Sequence, residues 1–304
     1  MKKIAFLLSI ACILPLFTAC KPDNEDTNVT DGPEVKTLEL KDKALRLTFS
    51  DTKAPYTDVV LTETGKAVIS LRPSAEAPAT RALVYVPDYI YGTYTVKENI
   101  YTIYNSKGMF ECHLQVNSAN DVITSTTIYL NSQVSEGVTY AVQAMGKVSD
   151  SDLTIDLCRN WNIVHTHITL DGAVKASKVF DAPDASSFNA ILDYAKEKAP
   201  QLKAELPADM AITDVMFTQA GSFIILFKNG QIFVGNWGWK NEKTGEFSYS
   251  WDGDAKIYSY ESGKATFTVE TYKKVKYYTL TLSASVTDGG KTYNVSIAFN
   301  LEEK

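Results

Sequence analysis

The stretch GNWGWKNEKTGEFSYSWDG, residues 235–253, holds three of the chain's four tryptophans together with Phe247 and Tyr249. Its reading decides the fold, because aromatic and polar residues alternate on either side of a Lys-Thr-Gly turn, as in two strands folded back on each other. A turn over Asn241–Gly245 pairs Trp239 with Phe247, Trp237 with Tyr249 and Gly235 with Trp251. Phe233, Trp237, Trp239, Phe247, Tyr249 and Trp251 then share one face. The other carries Val234, Asn236, Gly238, Lys240, Glu246, Ser248, Ser250 and Asp252 and is mostly polar. Gly235 leaves space opposite Trp251, where two bulky side chains would collide. Such an aromatic face lines the inside of a closed or strongly curled sheet, and an eight-stranded barrel either fills with side chains or holds one small ligand.

Upstream, Asn229-Gly230 in FKNGQ predicts a two-residue type I′ hairpin, since both central positions need positive φ. This turn pairs Phe227 with Ile232, Leu226 with Phe233 and Ile224 with Gly235. Ile224 and Leu226 then join the aromatic face, and Ile225, Phe227, Ile232 and Val234 form an apolar outer face that needs a partner, for which the N-terminal half is the candidate. Downstream, Tyr278, Leu280, Leu282, Ala284 and Val286 alternate with polar residues, as do Tyr293, Val295, Ile297, Phe299 and Leu301, and TDGGK between them makes a second hairpin. Only DASSFNAILDYAKEKAP (184–200) has helical spacing, with Ser186 as cap and Phe188, Ile191, Leu192 and Ala195 on one face. The expected fold is all-β with one short helix.

Two segments recur. LTETGKAVIS (61–70) aligns with FTQAGSFIIL (217–226) at an offset of 156, and YGTYTVK (91–97) with VGNWGWK (234–240) at an offset of 143. The extra residues of the first copy fall at RPSAEAPATRA, a composition that suits a loop. These repeats predict two tandem antiparallel meander domains, 35–150 and 151–304, joined at KVSDSD.

The first residues, MKKIAFLLSIACILPLFTAC, have the basic, apolar, small-residue order of an export signal and are too short for a comfortable membrane span. Thr18-Ala19-Cys20 resembles the lipobox of bacterial lipoproteins, with Phe17 in place of the usual Leu-like residue. That resemblance implies a signal peptide over 1–19 and acylation of Cys20, an anchor strong enough to hold the chain at a membrane. Residues 20–34 are polar and acidic and read as a flexible tether. Lys21 followed by Asp23, Glu25 and Asp26 resembles the acidic tract that sends lipoproteins of the Bacteroidota to the outer face of the outer membrane; a tether without an address is the alternative.

Removing Lys2 and Lys3 leaves 28 basic against 36 acidic residues, a net charge of −8, which disfavours nucleic acid and acidic surfaces as partners of the chain as a whole. The basic run YKKVKYY (272–278) reads as a solvated strand face. Cys112 and Cys158 are the only cysteines after Cys20, so no disulfide framework exists, though a single bridge between them stays open. His165 and His167, two apart, are expected on the strand face of Trp161 and Ile163. A zinc site needs a third ligand, and the only other histidine is His113 in the other half. The two histidines are read instead as polar lining residues. Asp252 and Asp254 lack the glycine and glutamate of a calcium loop and read as turn residues. No nucleophile elbow, zinc-protease helix or phosphate loop occurs, so the expectation is a non-enzymatic protein without metal or cofactor.

Trp161 opening a strand in CRNWNIVHTHI, followed by a meander of hairpins with an aromatic interior, resembles the lipocalin-like domains of Bacteroidota lipoproteins. Lipocalins usually show Gly-x-Trp in that strand, whereas here Arg159-Asn160 precede the tryptophan. The resemblance implies a calycin-type barrel that takes a small apolar or amphipathic molecule at its open end. The candidate ligand-binding residues are Trp161, His165, His167, Phe233, Trp237, Trp239, Phe247, Tyr249 and Trp251. Two alternatives stay open: a glycan-binding surface lipoprotein whose tryptophans stack on sugar rings, and a scaffold or adhesion component with filled barrels. In each reading the membrane is reached only through the lipid anchor, at the outer membrane.

Overall fold

The structure, a computed structural model, describes residues 44–49, 53–54, 56–72, 89–97, 100–105, 108–117, 122–130, 138–144, 147–200, 206–251, 264–288 and 290–304. For 96–97, 100, 105, 108–117, 122–130, 138–144, 250–251, 264, 286 and 288 it gives the backbone alone. The signal, Cys20, the tether, Asp252 and Asp254 lie outside the described residues, as do the side chains of Cys112, His113 and Trp251.

The chain is all-β. Its first eight strands, β1 (Leu45–Phe49), β2 (Tyr56–Leu61), β3 (Lys66–Leu71), β4 (Tyr89–Lys97), β5 (Ile100–Asn105), β6 (Gly108–Asn117), β7 (Val122–Leu130) and β8 (Val138–Ala144), pair antiparallel in sequence order. The pairing of β8 with β1, Leu47 opposite Ala144, closes them into a barrel. A short helix α1 (Asp152–Leu157) follows, capped by the Ser151 side chain, which accepts from the Thr154 amide.

Nine more strands make the second sheet: β9 (Asn160–Gly172), β10 (Ala176–Asp181), β11 (Ile212–Phe217), β12 (Ser222–Phe227), β13 (Ile232–Asn241), β14 (Glu246–Trp251), β15 (Lys264–Tyr272), β16 (Val275–Asp288) and β17 (Lys291–Glu303). One edge of β9 pairs with β17 from Trp161 to Gly172. Its other edge pairs with β11 at Asn160 and Trp161, then with β10 from His165 to Leu170. The β9–β17 pairing returns the sheet to its own first barrel strand. Between β10 and β11 lies the one long helix, α2 (Phe188–Lys198). Its cap is Ser187, one residue beyond the expected Ser186, with the Ser187 hydroxyl 3.2 Å from the Ala190 amide.

The β13–β14 hairpin keeps the expected register, and β16 and β17 form the expected hairpin. In β16–β17, Tyr278, Leu280, Leu282, Ala284 and Val286 face Leu301, Phe299, Ile297, Val295 and Tyr293. In β13–β14, Trp239, Trp237 and Gly235 face Phe247, Tyr249 and Trp251. The turn there needs Gly245, whose φ is +67° and whose missing Cβ would lie 2.0 Å from the Phe267 carbonyl oxygen.

The β12–β13 hairpin differs by one residue. Phe227 accepts from the Gly230 amide and donates its own amide to Gln231, so Lys228–Gly230 form a three-residue loop with only Gly230 at positive φ. The pairs become Leu226 with Ile232, Ile225 with Phe233 and Phe223 with Gly235. Because side chains alternate, a slip of one exchanges the faces of a whole strand. Phe223, Ile225 and Phe227 therefore accompany Phe233 and Trp237, and Ile224 and Leu226 go outside with Ile232 and Val234.

That outer face is covered by the first barrel. Met216, Ile224, Leu226 and Val234 form one buried cluster with Val60 and Val68, flanked by Tyr89, Tyr91 and Ile232. The partners are equivalent positions of the two copies: 60 and 216, 68 and 224, 91 and 234, 89 and 232. The turns that the repeats predicted also match bond for bond. Thr62 accepts from Gly65 and donates to Lys66, as Thr218 does with Gly221 and Ser222, and both glycines have φ +75°. Tyr94 sends its amide to the Gly65 carbonyl and its hydroxyl to the Thr62 carbonyl at 2.6 Å. Trp237 sends its amide to Gly221 and its indole N–H to Thr218 at 3.0 Å. A bulge sits at Thr57 in β2 and at Thr213 in β11. The Glu63 carboxylate then accepts the amide of Gln219, its own counterpart, at 2.9 Å. The barrels meet as two halves of a pseudo-symmetric pair, each offering the same patch.

Arg46, 4% exposed, spans this contact. It pairs with Asp58 at 2.9 Å within its own barrel and reaches Asn236 at 2.5 Å, Ser222 at 3.3 Å and the Gly235 carbonyl at 3.4 Å across it. Burial, and secondarily the charge of Asp214, push the phenol of Tyr91, at the edge of the apolar cluster, up to about 12.

Candidate ligand cavity of the second sheet

Inside the second sheet the inward residues of β9, β11, β12, β14, β16 and β17 leave a cavity that α2 helps to close. Its aromatic lining is Phe188, Phe217, Phe223, Phe247, Tyr249 and Phe299; Ile163, Ile212, Val215, Ile225, Leu280, Leu282 and Leu301 complete it. About 50 Å³ admits the centre of a water-sized sphere, within about 540 Å³ free of protein atoms that runs out to solvent. The walls of small-molecule sites are likewise mostly apolar. The lining side chains carry no charge, so a ligand's affinity would come from apolar area removed from water, roughly 25 cal/mol per Å².

The ends of the cavity are built differently. At one end Trp161, fully buried, donates its indole N–H to the Leu157 carbonyl of α1 at 2.9 Å. It packs against Phe267 and Tyr278, which stack on each other, and the Arg159 guanidinium lies 5.5 Å from the Tyr278 ring and 6.0 Å from that of Trp161. Asp156 and Glu303 hold that guanidinium. Toward the other end Phe188, the first residue of α2, meets Phe227 and Phe299 with ring centres 5.9 and 6.1 Å apart. The Phe188 amide donates to the Met210 carbonyl, so α2 is tied to the chain entering β11.

Of the residues expected to bind a ligand, Phe247 and Tyr249 line the cavity. Trp161 and Trp237 are wall residues whose N–H groups are bonded to backbone. Trp239 is half-buried and donates to the Thr154 hydroxyl of α1 at 2.7 Å, and the same threonine donates to Glu242. Phe233 packs edge-on against Phe227 at 5.1 Å. Trp251 ends β14 opposite Gly235, and its side chain lies outside the described residues.

His165 and His167 are a correction. Both are exposed, and His165 Nδ1 is 2.6 Å from an Asp181 carboxylate oxygen on β10. Asn300 faces His165 and Leu301 faces Ile163, so Val164 is an extra residue on β9. Such a bulge shifts the alternation by one. Trp161 and Ile163 point inward before it; Thr166, Ile168 and Leu170 do so after it, leaving the histidines outside. Among the described residues no group of three metal-ligating side chains occurs.

Cys158, at the end of α1, is a free thiol whose pKa burial pushes well up, which disfavours the nucleophilic thiolate. Among the described residues no helix is long and apolar enough to cross a membrane. No protein-family model matches the chain, and neither a curated protein nor a solved structure is significantly similar to it.

Proposed function

We propose that this chain is a non-enzymatic binding lipoprotein of the cell envelope that holds a small apolar or amphipathic molecule inside its second barrel. The observation that carries this reading is the cavity: thirteen lining residues from six strands and α2, none of them charged. Walls of this make-up offer water few hydrogen-bond partners and suit apolar solutes. Export, acylation at Cys20 and display at the outer membrane belong to the same proposal and rest on residues 1–26. The meander order of β11 to β17 and the buried Trp161 at one end support the lipocalin-like kinship proposed from the sequence.

One observation favours the scaffold alternative. The 50 Å³ open to a water-sized sphere is smaller than the ~150 Å³ of a cavity known to accept benzene. A longer molecule must therefore enter through the open end and displace side chains there. Stacking on sugars has less support, because Trp161 and Trp237 have no face free.

Titrating the full chain with dodecanol while following its thermal midpoint separates these readings. Binding to the folded state alone raises the midpoint, and Ile225→Phe, which fills the cavity, should remove most of that rise. An unchanged midpoint, or an equal rise in Ile225→Phe, contradicts the proposal; a rise with mixed polysaccharide instead favours glycan.

A further inference from the structure

The ribbon formed by the end of β15 and the start of β16 has no role in the cavity. β15 pairs with β14 only at Ala265 and Thr266, and β16 pairs with β17 only from Tyr278 onward. Between them, Glu270–Tyr272 and Val275–Tyr277 pair with each other alone among the described strands. Tyr272 and Val275 are directly opposite, and Tyr277 follows two residues on, so all three share one face of a projecting arm. They are 62%, 54% and 53% exposed, although apolar groups of this size are ordinarily covered.

The tip is unusual in a second way. Lys273 and Lys274 occupy the two turn positions with φ +48° and +70°. Asn-Gly would adopt that turn without strain, whereas side chains with a Cβ are disfavoured there by roughly 1–2 kcal/mol each. Lysines kept at that cost put two cations at the outermost point of an acidic chain. Lys273 lies 5.2 Å from the Tyr272 ring centre, and Lys274 makes no ion pair among the described residues. Lys276 is neutralised by Asp156 at 2.6 Å, and Glu270 stands across from Tyr277.

We infer that this arm is a contact for an anionic lipid surface, with Lys273 and Lys274 against the headgroups and Tyr272, Val275 and Tyr277 in the interfacial layer. Tyrosine is suited to that layer because its ring is apolar and its hydroxyl wet, and each lysine adds attraction to anionic lipid that salt screens. A flat acidic protein surface would leave the exposed face of Tyr272, Val275 and Tyr277 uncovered. The inference is independent of the ligand reading and adds a second membrane contact to the anchor proposed at Cys20.

Flotation of the full chain with vesicles of phosphatidylcholine, with or without phosphatidylglycerol, tests it. Any contribution of the N-terminal segment is common to the wild type and its variants. Phosphatidylglycerol should increase flotation of the wild type, added salt should reduce it, and the double variant Lys273→Gln, Lys274→Gln should bind about thirty-fold more weakly. Tyr272→Ser with Tyr277→Ser should weaken binding while keeping its salt dependence. Equal flotation of wild type and lysine variant overturns the inference. So does retention on an acidic polysaccharide that needs both lysines while vesicles do not. Unchanged far-ultraviolet dichroism in each variant establishes that the fold is intact.

Discussion

The two barrels use one plan and differ in the connections between their strands, most of all in the first. Between β1 and β2 the chain spends residues 50–55; between the corresponding β9 and β11 it spends residues 173–211, which hold β10 and α2. Turns, bulges and the contact face are shared to the level of single hydrogen bonds, as at Tyr94 and Trp237. The added segment brings Phe188 to the cavity and ties α2 to the start of β11. Equivalent strands therefore build and dock the barrels, and the insertion adds a helix to the wall of the cavity in the second. Even the docking is not fully symmetric: Arg46 is opposite Val60 in β1, and the equivalent residue opposite Met216 is Asn160.

The largest effect expected from breaking this comparison is at Arg46. Arg46→Ala leaves Asp58 buried without its cation and removes the bonds to Ser222 and Asn236. Loss of one partner of a buried pair costs about 3–5 kcal/mol. A guanidinium chloride midpoint that hardly moves would mean that the barrels are held by their apolar patch alone.

Smaller effects come from the matched aromatics. Tyr94→Phe removes only the bond to the Thr62 carbonyl, about 1 kcal/mol. Trp237→Phe removes the bond to Thr218 and part of a packed ring as well, so about 2–3 kcal/mol is expected. Urea unfolding of both variants compares them, and equal losses would show that ring volume at Trp237 contributes little.

The smallest effect is at Glu63, whose pKa is raised above 4.5 chiefly by burial, against the lowering effect of the Gln219 amide. The native state binds this proton more tightly than the unfolded chain, so the contribution is fully present below pH 4.5 and is lost as pH rises through the raised value. Glu63→Gln keeps an oxygen for the Gln219 amide without the charge. It should leave stability at pH 7 within about 1 kcal/mol of wild type, or slightly above it, and flatten its slope in that acid window. Thermal midpoints measured across the window would show an unchanged slope if the carboxylate were in fact well solvated.

Much of this architecture was legible in the residues, and the misses have local causes. Period-two alternation located the strands, and the β13–β14 register and the β16–β17 hairpin followed from apolar alternation across recognisable turns. The β12–β13 register did not, because Asn229-Gly230 fits a two-residue turn while the chain closes a three-residue loop with Gly230 alone at positive φ. Parity then moved Phe223 and Ile225 inside. The bulge at Val164 has no residue signature of its own, and it exchanged the histidines for Thr166 and Ile168. The cavity was only partly legible for a related reason. The clustered tryptophans drew attention, yet the indole N–H groups of Trp237 and Trp239 are bonded within the protein and neither residue lines the cavity. The lining came from plain Phe, Leu and Ile on strands far apart in sequence. Leu280, Leu282, Phe299 and Leu301 were already on one face, and Phe188 was already on the apolar side of α2, so the same alternation carried the missing signal.

The claim that the insertion sets the second barrel apart is tested most directly by stoichiometry. Isothermal titration of the full chain with dodecanol should give one mole bound per mole of chain, with the negative heat-capacity change of apolar burial. Two moles per chain would make both barrels binding sites and contradict that claim, and no binding at all would return both to scaffold.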